Sequence, residues 1–326
     1  MELPPALRQA VDLALEGVAL PDLTAAADRM SQRYRGEIVP SHNGGRFHIS
    51  DDLAARAYLA TRLPATYAAI RAALAMVAEI RPDFAPQGLL DVGAGPGTAL
   101  WAARDCWPSV TDALLIEGAA PMRAWGERMA PASGVTKIAW QSDDIAGDFA
   151  ENRPRDLVTL ACVLSEIAPD RRDRLVERLW ALTGDTLVIV EPGTPNGWMR
   201  ILDARKRLLA SGAHQVAPCP HAAACPVAAP DWCHFARRVA RSRLHRLAKG
   251  GEVPWEDEKY AFVAVSRRAA NLPAARVIAP AHLRAGQVNL KLCTAEGQTA
   301  ERHWSRRDGA AFKTARRLDW GDGVKR

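Results

Sequence analysis

Residues 88–98 read GLLDVGAGPGT, an apolar run through Leu89, Leu90 and Val92 that passes into a turn bearing Gly93, Gly95 and Gly97. A helix-forming stretch follows from Thr98 to Cys106. A strand, a glycine turn and a helix in that order form a nucleotide-binding turn for a physical reason. Glycine permits positive φ and close approach of a ligand to the backbone. The helix N-terminus adds unpaired N–H groups and the positive end of its dipole. The dinucleotide pattern G-x-G-x-x-G, counted from Gly93, would require glycine at Thr98, so that fit is imperfect. The stretch predicts a Rossmann-type α/β domain.

Outward from this turn, strands and helices alternate. DALLIEG (112–118), KIAWQSDD (137–144), DLVTLACVL (156–164) and DTLVIVEPG (185–193) read as strands. Residues 121–129, 169–182 and 198–211 read as helices. Such alternation predicts a parallel sheet covered on both faces, with ligands at the carboxyl ends of its strands. Glu117 ends the second strand, where a carboxylate accepts ribose hydroxyls. Asp143 and Asp144 end the third, and Ser165, Glu166 and Glu191 follow the fourth and fifth.

The flanks have another rhythm. Residues 1–85 read as a helical region, with one stripe at Leu7, Val11, Leu15 and Val18 and a longer one over Leu53–Ile80 that kinks or breaks at Pro64. The basic connection between them carries Arg33, Arg35 and Arg46. The sheet domain is expected over 86–212 and 255–275, where YAFVAVSRR (260–268) resumes as a strand. A cysteine-rich, metal-binding and basic insertion is expected over 213–254, and a small C-terminal β extension with a basic tail over 276–326.

The chain has 326 residues, 48% hydrophobic and 25% charged, a composition ordinary for a globular protein. No apolar run approaches the ~20 residues that span a bilayer. The opening MELPPALRQAVDLALEG carries Glu2, Asp12 and Glu16, where a signal or transit peptide would be basic. A cytoplasmic chain of bacterial type, monomeric when free and without membrane contact, is expected.

The run Asp91-x-Gly93-x-Gly95-x-Gly97 resembles the first motif of class I S-adenosylmethionine methyltransferases. The resemblance implies that S-adenosylmethionine is held by Asp91, Gly93, Ala94, Gly95, Gly97, Glu117, Asp143, Asp144 and Ser165. The fourth strand ends Ala-Cys-Val-Leu-Ser-Glu (161–166), without the Asn/Asp-Pro-Pro-aromatic run of amino-methylating enzymes. Cys162 lacks the proline partner of a cytosine-methylating nucleophile and reads as a buried thiol. No catalytic residue is assigned.

Cys219, Cys225 and Cys233 are spaced C-x5-C-x7-C in a proline-rich polar loop, with Cys293 a fourth candidate and His221 and His234 alternatives. Thiolates select zinc or iron–sulfur clusters, and the spacing allows either. LPATYAAI, LLDVGAGPGTALWAA, VLSEI, VEPGTP, CPHAAACPVAAPDWCHF and KYAFVAVSR together resemble the methyltransferase-like proteins of the mitochondrial ribosomal small subunit and their bacterial relatives. The resemblance spans nearly the whole chain. It implies a [4Fe–4S] cluster on Cys219, Cys225, Cys233 and Cys293, binding to small-subunit ribosomal RNA, a role in ribosome assembly, and the mitochondrial matrix as the site of organellar relatives.

Net charge is +6. Arg237, Arg238, Arg241, Arg243, Arg246 and Lys249 lie in a stretch expected as a cationic helix. Arg302, Arg306, Arg307, Lys313, Arg316, Arg317, Lys325 and Arg326 follow near the end, with Trp304 and Trp320 among them. Both groups suit a phosphate backbone. Two functions are consistent with these features: an RNA methyltransferase, or a non-catalytic RNA-binding assembly factor stabilised by its cluster.

Overall fold

The computed structural model describes residues 1–34, 49, 51–143, 145, 149–151 and 153–325. Arg35, Arg46, Asp144 and Arg326, and the side chain of Arg33, lie outside the described residues.

Four helices precede the sheet: α1 (Pro5–Leu15), α2 (Leu20–Tyr34), α3 (Asp52–Thr61) and α4 (Leu63–Ile80). The Asp51 side chain caps α3 by accepting the Ala54 N–H. The apolar run over 53–80 breaks at Arg62, and Pro64 falls in the first turn of α4, where a missing N–H costs no helical bond. By length and composition alone α4 is apolar enough to cross a membrane, with mean hydropathy 1.3. It is instead largely a core helix, 67% buried against α5 (Thr98–Cys106) and the sheet.

The main sheet begins with β1 (Gly88–Val92), β2 (Asp112–Ile116), β3 (Lys137–Gln141), β4 (Arg155–Ala161) and β5 (Thr183–Pro192), all parallel, in the order β3-β2-β1-β4-β5. Between them run α5, α6 (Ala120–Met129) and α7 (Pro169–Ala181), and α8 (Pro195–Ala210) follows β5. Then come β6 (His214–Ala217), β7 (Phe235–Ala240), the short α9 (Arg243–Ala248) and β8 (Trp255–Ser266). β8 lies antiparallel to β5 on one edge and to both β6 and β7 on the other. Alternate residues of the central strands feed two cores. Leu89, Leu157, Val188 and Phe262 face α1 to α6, while Leu90, Val158, Ile189 and Val263 face α7 and α8. The sheet is therefore the doubly covered Rossmann-like α/β sheet expected.

A second, antiparallel sheet holds β9 (Ala275–Val277), β10 (His282–Arg284), β11 (Gln287–Thr294), β12 (Thr299–Ser305) and β13 (Gly323–Val324), packed on α10 (Ala310–Ala315) through Val288, Leu290, Leu292 and Phe312.

The stretch expected as a cationic helix departs from that expectation. Residues 235–240 are strand β7, and only Arg243–Ala248 is helical. The reason lies in β8, whose open edge offers backbone partners and whose Glu256-Asp257-Glu258 run stands opposite the arginines. Arg237 faces Glu258 and Arg238 faces Asp257 in the register. Arg238 Nε donates to Asp257 at 2.9 Å, and Arg241 donates to Glu256 at 2.8 Å. Lys249 stands 4.0 Å from Glu256. This basic run is largely matched within the fold.

The β5–α8 turn is the tightest approach near the sheet's carboxyl edge. Thr194 caps α8 by accepting the Gly197 N–H, and a Cβ on Gly197 would stand 2.0 Å from the Pro192 carbonyl oxygen. Helix propensity favours alanine over glycine by about 1 kcal/mol. Overpacking against a fixed backbone oxygen is expected to reverse that sign, so Gly197→Ala should lose about 3 kcal/mol in chemical denaturation.

Candidate cofactor pocket and cysteine cluster

The glycine turn folds back over the end of β2. The N–H groups of Gly93 and Ala94 both donate to the Ile116 carbonyl, at 2.9 and 3.0 Å. Gly93, Gly95 and Gly97 all have positive φ, of 69°, 56° and 83°. A side chain at Gly93 would also strike Val163, since its Cβ would lie 2.5 Å from Cγ2. Gly97 leads directly into α5, whose first N–H groups open toward the turn.

Two buried carboxylates sit beneath it. Glu117, immediately after β2, accepts the Gly95 N–H and the Ala119 N–H, each at 2.7 Å. Burial holds its carboxyl above the ordinary range, opposed by those two donors. Asp91 is 2% exposed and stands beside Thr159 in the β1–β4 register. Its Oδ1 accepts the Thr159 hydroxyl at 2.7 Å, and its Oδ2 is buried without a partner, as is the hydroxyl of Thr98. Burial pushes Asp91 up to about 7, Glu117 adds to this, and Thr159 opposes it. An orphaned acid oxygen, an acid bonded to the turn and an open helix N-terminus suit a ligand carrying hydroxyls and a cationic group.

Asp143 stands two residues beyond β3 and accepts Gln141 Nε2 at 3.1 Å and the Ala150 N–H at 3.2 Å. Ser165 is exposed in the loop after β4. That loop is clamped from below. Glu191, with no exposed surface, accepts the Leu164 N–H at 3.0 Å and Arg200 Nε at 2.7 Å. Arg172 Nε donates to the Leu164 and Ile167 carbonyls. Glu191 is thus a brace. Cys162 adopts φ 60°, rare for a residue with a side chain, and burial pushes its thiol well up, with Glu191 adding to the effect.

The loop from Pro218 to His234 joins β6 to β7 and carries Cys219, Cys225 and Cys233, while Cys293 comes from β11. The fold brings all four within mutual electrostatic reach. His221 Nε2 lies 3.3 Å from Cys293 Sγ. His234 is held elsewhere, stacked on Trp232 and edge-on to Trp320 with centroids at 4.9 Å in each case. Trp320 is therefore a packing residue. Among the described residues, no three His, Cys, Asp or Glu side chains gather to the spacing of one metal ion. Four sulfurs around one zinc would approach to about 3.8 Å of each other, given Zn–S bonds of about 2.3 Å. A donor set of four thiols would suit a structural zinc or an iron–sulfur cluster alike. Neither Arg205 nor Arg276, which flank these cysteines, stands out in the sequence; both lie far from any recognisable motif.

The profile of the family described as mitochondrial small ribosomal subunit Rsm22 matches residues 52–325. The human ribosome assembly protein METTL17, mitochondrial, is 27% identical over 344 residues, covering 97% of this chain and 72% of that protein. Rsm22-cox11 tandem protein 2, mitochondrial, of Schizosaccharomyces pombe is 23% identical; the alignment covers 82% of this chain and 42% of the relative, so the chain spans less than half of it. Among solved structures, magnesium protoporphyrin IX methyltransferase from Synechocystis PCC 6803 with bound SAM is 13% identical, with TM-score 0.40, covering 77% of this chain and 100% of that one. Ribosomal protein L11 methylase from Lactobacillus delbrueckii subsp. bulgaricus is 15% identical, with TM-score 0.36, covering 60% and 77%.

The raised Asp91 carboxyl yields a prediction for the ligand-free protein. An acid whose folded value exceeds its unfolded value of about 3.9 keeps its stabilising proton at low pH and loses stability as pH rises toward about 7. The amide of an Asp91→Asn variant does not titrate and keeps an acceptor for Thr159. The melting-temperature advantage of Asp91→Asn over the parent should grow between about pH 4 and about pH 7 and then level off; a flat difference would refute the buried acid. With the profile spanning the sheet, the glycine turn and the cysteine loop alike, the chain belongs to the Rsm22 family of the mitochondrial small ribosomal subunit.

Proposed function

We propose that this protein binds S-adenosylmethionine at the glycine turn and acts on small-subunit ribosomal RNA during ribosome assembly. The observation that carries the reading is the turn itself: three glycines at positive φ above Asp91 and Glu117, opening onto the N-terminus of α5. Glu117 would take the ribose hydroxyls, Asp143 would lie toward the adenine, and Ser165 would line the outer rim. Asp144, assigned with Asp143, belongs to the same proposal. The likeness to a protein named for ribosome assembly supports the partner, and the mitochondrial relatives support the compartment of an organellar or bacterial-type ribosome.

RNA contact is assigned to the second sheet. Arg302, Arg306, Arg307, Lys313, Arg316 and Arg317 are exposed there, and among the described residues none of them forms an ion pair with an acid. The other basic run is matched by Glu256 and Asp257. One observation favours a non-catalytic assembly factor as the second reading. Glu191, the fully buried acid at the end of β5, is not free to act as a base, because it accepts Arg200 Nε and the Leu164 N–H.

We further propose that Cys219, Cys225, Cys233 and Cys293 hold a [4Fe–4S] cluster, with zinc as the alternative. When bound, the metal group ties the loop after β6 to the second sheet.

Calorimetry should detect S-adenosylmethionine binding that Gly95→Arg abolishes; unchanged affinity in that variant would refute the pocket. Mass spectrometry of ribosomal RNA then separates the readings. A mark lost both without the protein and with Gly95→Arg identifies an enzyme, and assembly that proceeds with Gly95→Arg and no lost mark identifies a scaffold. Reversing Arg306, Arg307 and Arg317 to Glu should weaken RNA binding and flatten its salt dependence by roughly one unit of slope per lost phosphate contact.

A further inference from the structure

We propose that Arg205 and Arg276 are built-in counter-charges for the cysteine cluster, so that the pocket is made for a dianionic four-thiolate centre and not for four neutral thiols. The proposal rests on the reading of those cysteines as metal ligands.

The observation is a pair of buried cations that, among the described residues, no acid contacts within ion-pair distance. Arg205, on α8, is 5% exposed. It donates to Gln215 Oε1 at 2.9 Å, the Ala223 carbonyl at 3.0 Å and the His221 carbonyl at 2.7 Å, and its remaining side-chain partner is the Cys219 sulfur. Gln215 cannot turn its amide around, because its own N–H groups are spent on the Ala217 and Ala264 carbonyls. Arg276, on β9, is 1% exposed and stands directly opposite Cys293 in the β9–β11 register. It donates to the Pro218 and Gly321 carbonyls, each at 2.9 Å, and its Nη2 is buried with no partner. Among the described residues neither arginine forms an ion pair. Glu79 and Asp322 act on Arg276 only from beyond that distance.

Burying a guanidinium without a counter-charge is strongly unfavourable. Among the described residues Arg205 has no acid within ion-pair distance and Arg276 has Glu79 and Asp322 only beyond it, so the pocket favours a further anion. The available anion is the cysteine set. Arg205 and Arg276 both act on Cys219 and Cys293, and Arg205 also acts on Cys225. The same guanidinium groups hold the carbonyls of Pro218, His221 and Ala223, which flank Cys219 and lead to Cys225. Four thiolates around a dipositive core carry two negative charges, whether the core is an iron–sulfur cube or one zinc ion, and two guanidinium groups balance them. Metal binding would release the four thiol protons to solvent. The arginines would be positioning residues that set the charge of the site and orient its loop.

The test uses the full chain purified anaerobically, as the parent and as Arg205→Met, Arg205→Lys, Arg276→Met and Arg276→Lys. Metal per chain and the rate of metal loss to a chelator are read in each. Where iron is bound, the reduction potential is read by a titration followed by electron paramagnetic resonance. The methionine variants should weaken metal retention by about 10–100-fold, and any potential should shift to more negative values, because reduction adds negative charge to an uncompensated site. The lysine variants, which keep the charge and lose the fork, should stay near the parent. Methionine and lysine variants that behave alike would overturn the proposal. A parent that contains neither iron nor zinc would instead overturn the metal reading beneath it. If Arg205→Met fails to fold, the Arg276 pair decides, since Arg276 makes fewer bonds to the loop.

Discussion

A twelve-residue strand has two edges, and each buried N–H and C=O along them must find a partner. In β8 one edge is satisfied by β5, which completes the main sheet. The other is divided between β6 and β7. The loop between β6 and β7 is therefore fastened at both ends to one strand, and Cys219, Cys225 and Cys233 ride on that loop. The same strand carries the acids that neutralise Arg238 and Arg241. The position of the cysteines, the fate of the basic run and the closure of the sheet all follow from how β8 pairs.

The two candidate sites have opposite electrostatic character. Under the glycine turn the fold buries carboxylates, Asp91 and Glu117, which favours a ligand with donors and positive charge. Around the cysteines it buries arginines, Arg205 and Arg276, which favours an anion. Each pocket leaves a polar atom unsatisfied, Asp91 Oδ2 in one and Arg276 Nη2 in the other. The two pockets are joined through α8. Its first turn follows the Glu191 brace beneath the β4 loop, and Arg205 on its inner face holds the cysteine loop.

The strands around the turn were legible because their signals are local. Apolar runs of five residues, glycines at fixed offsets and helix periodicity predicted Thr98–Cys106 without error and the parallel strands to within a few residues. The break in the long apolar run was legible in kind, although it falls at Arg62 and not at the proline. Glu117 and Asp91 were legible through their offsets from the glycines. Their hydrogen-bond partners were not, since Thr159 is 68 residues away from Asp91.

By itself the sequence determined the sheet, the turn and the identity of the candidate ligands, because propensity, periodicity and glycine chemistry act over a few residues. Only the tertiary structure decided what the arginines do. Arg237 and Arg238 lie in a stretch that reads as a cationic helix until the Glu256-Asp257-Glu258 run is laid beside it as a neighbouring strand. Arg205 and Arg276 look like ordinary surface cations until the fold buries them beside Cys219, Cys225 and Cys293. Charge pairing and burial are set by contacts between distant segments, and one chain's local pattern carries no record of which segment will face it.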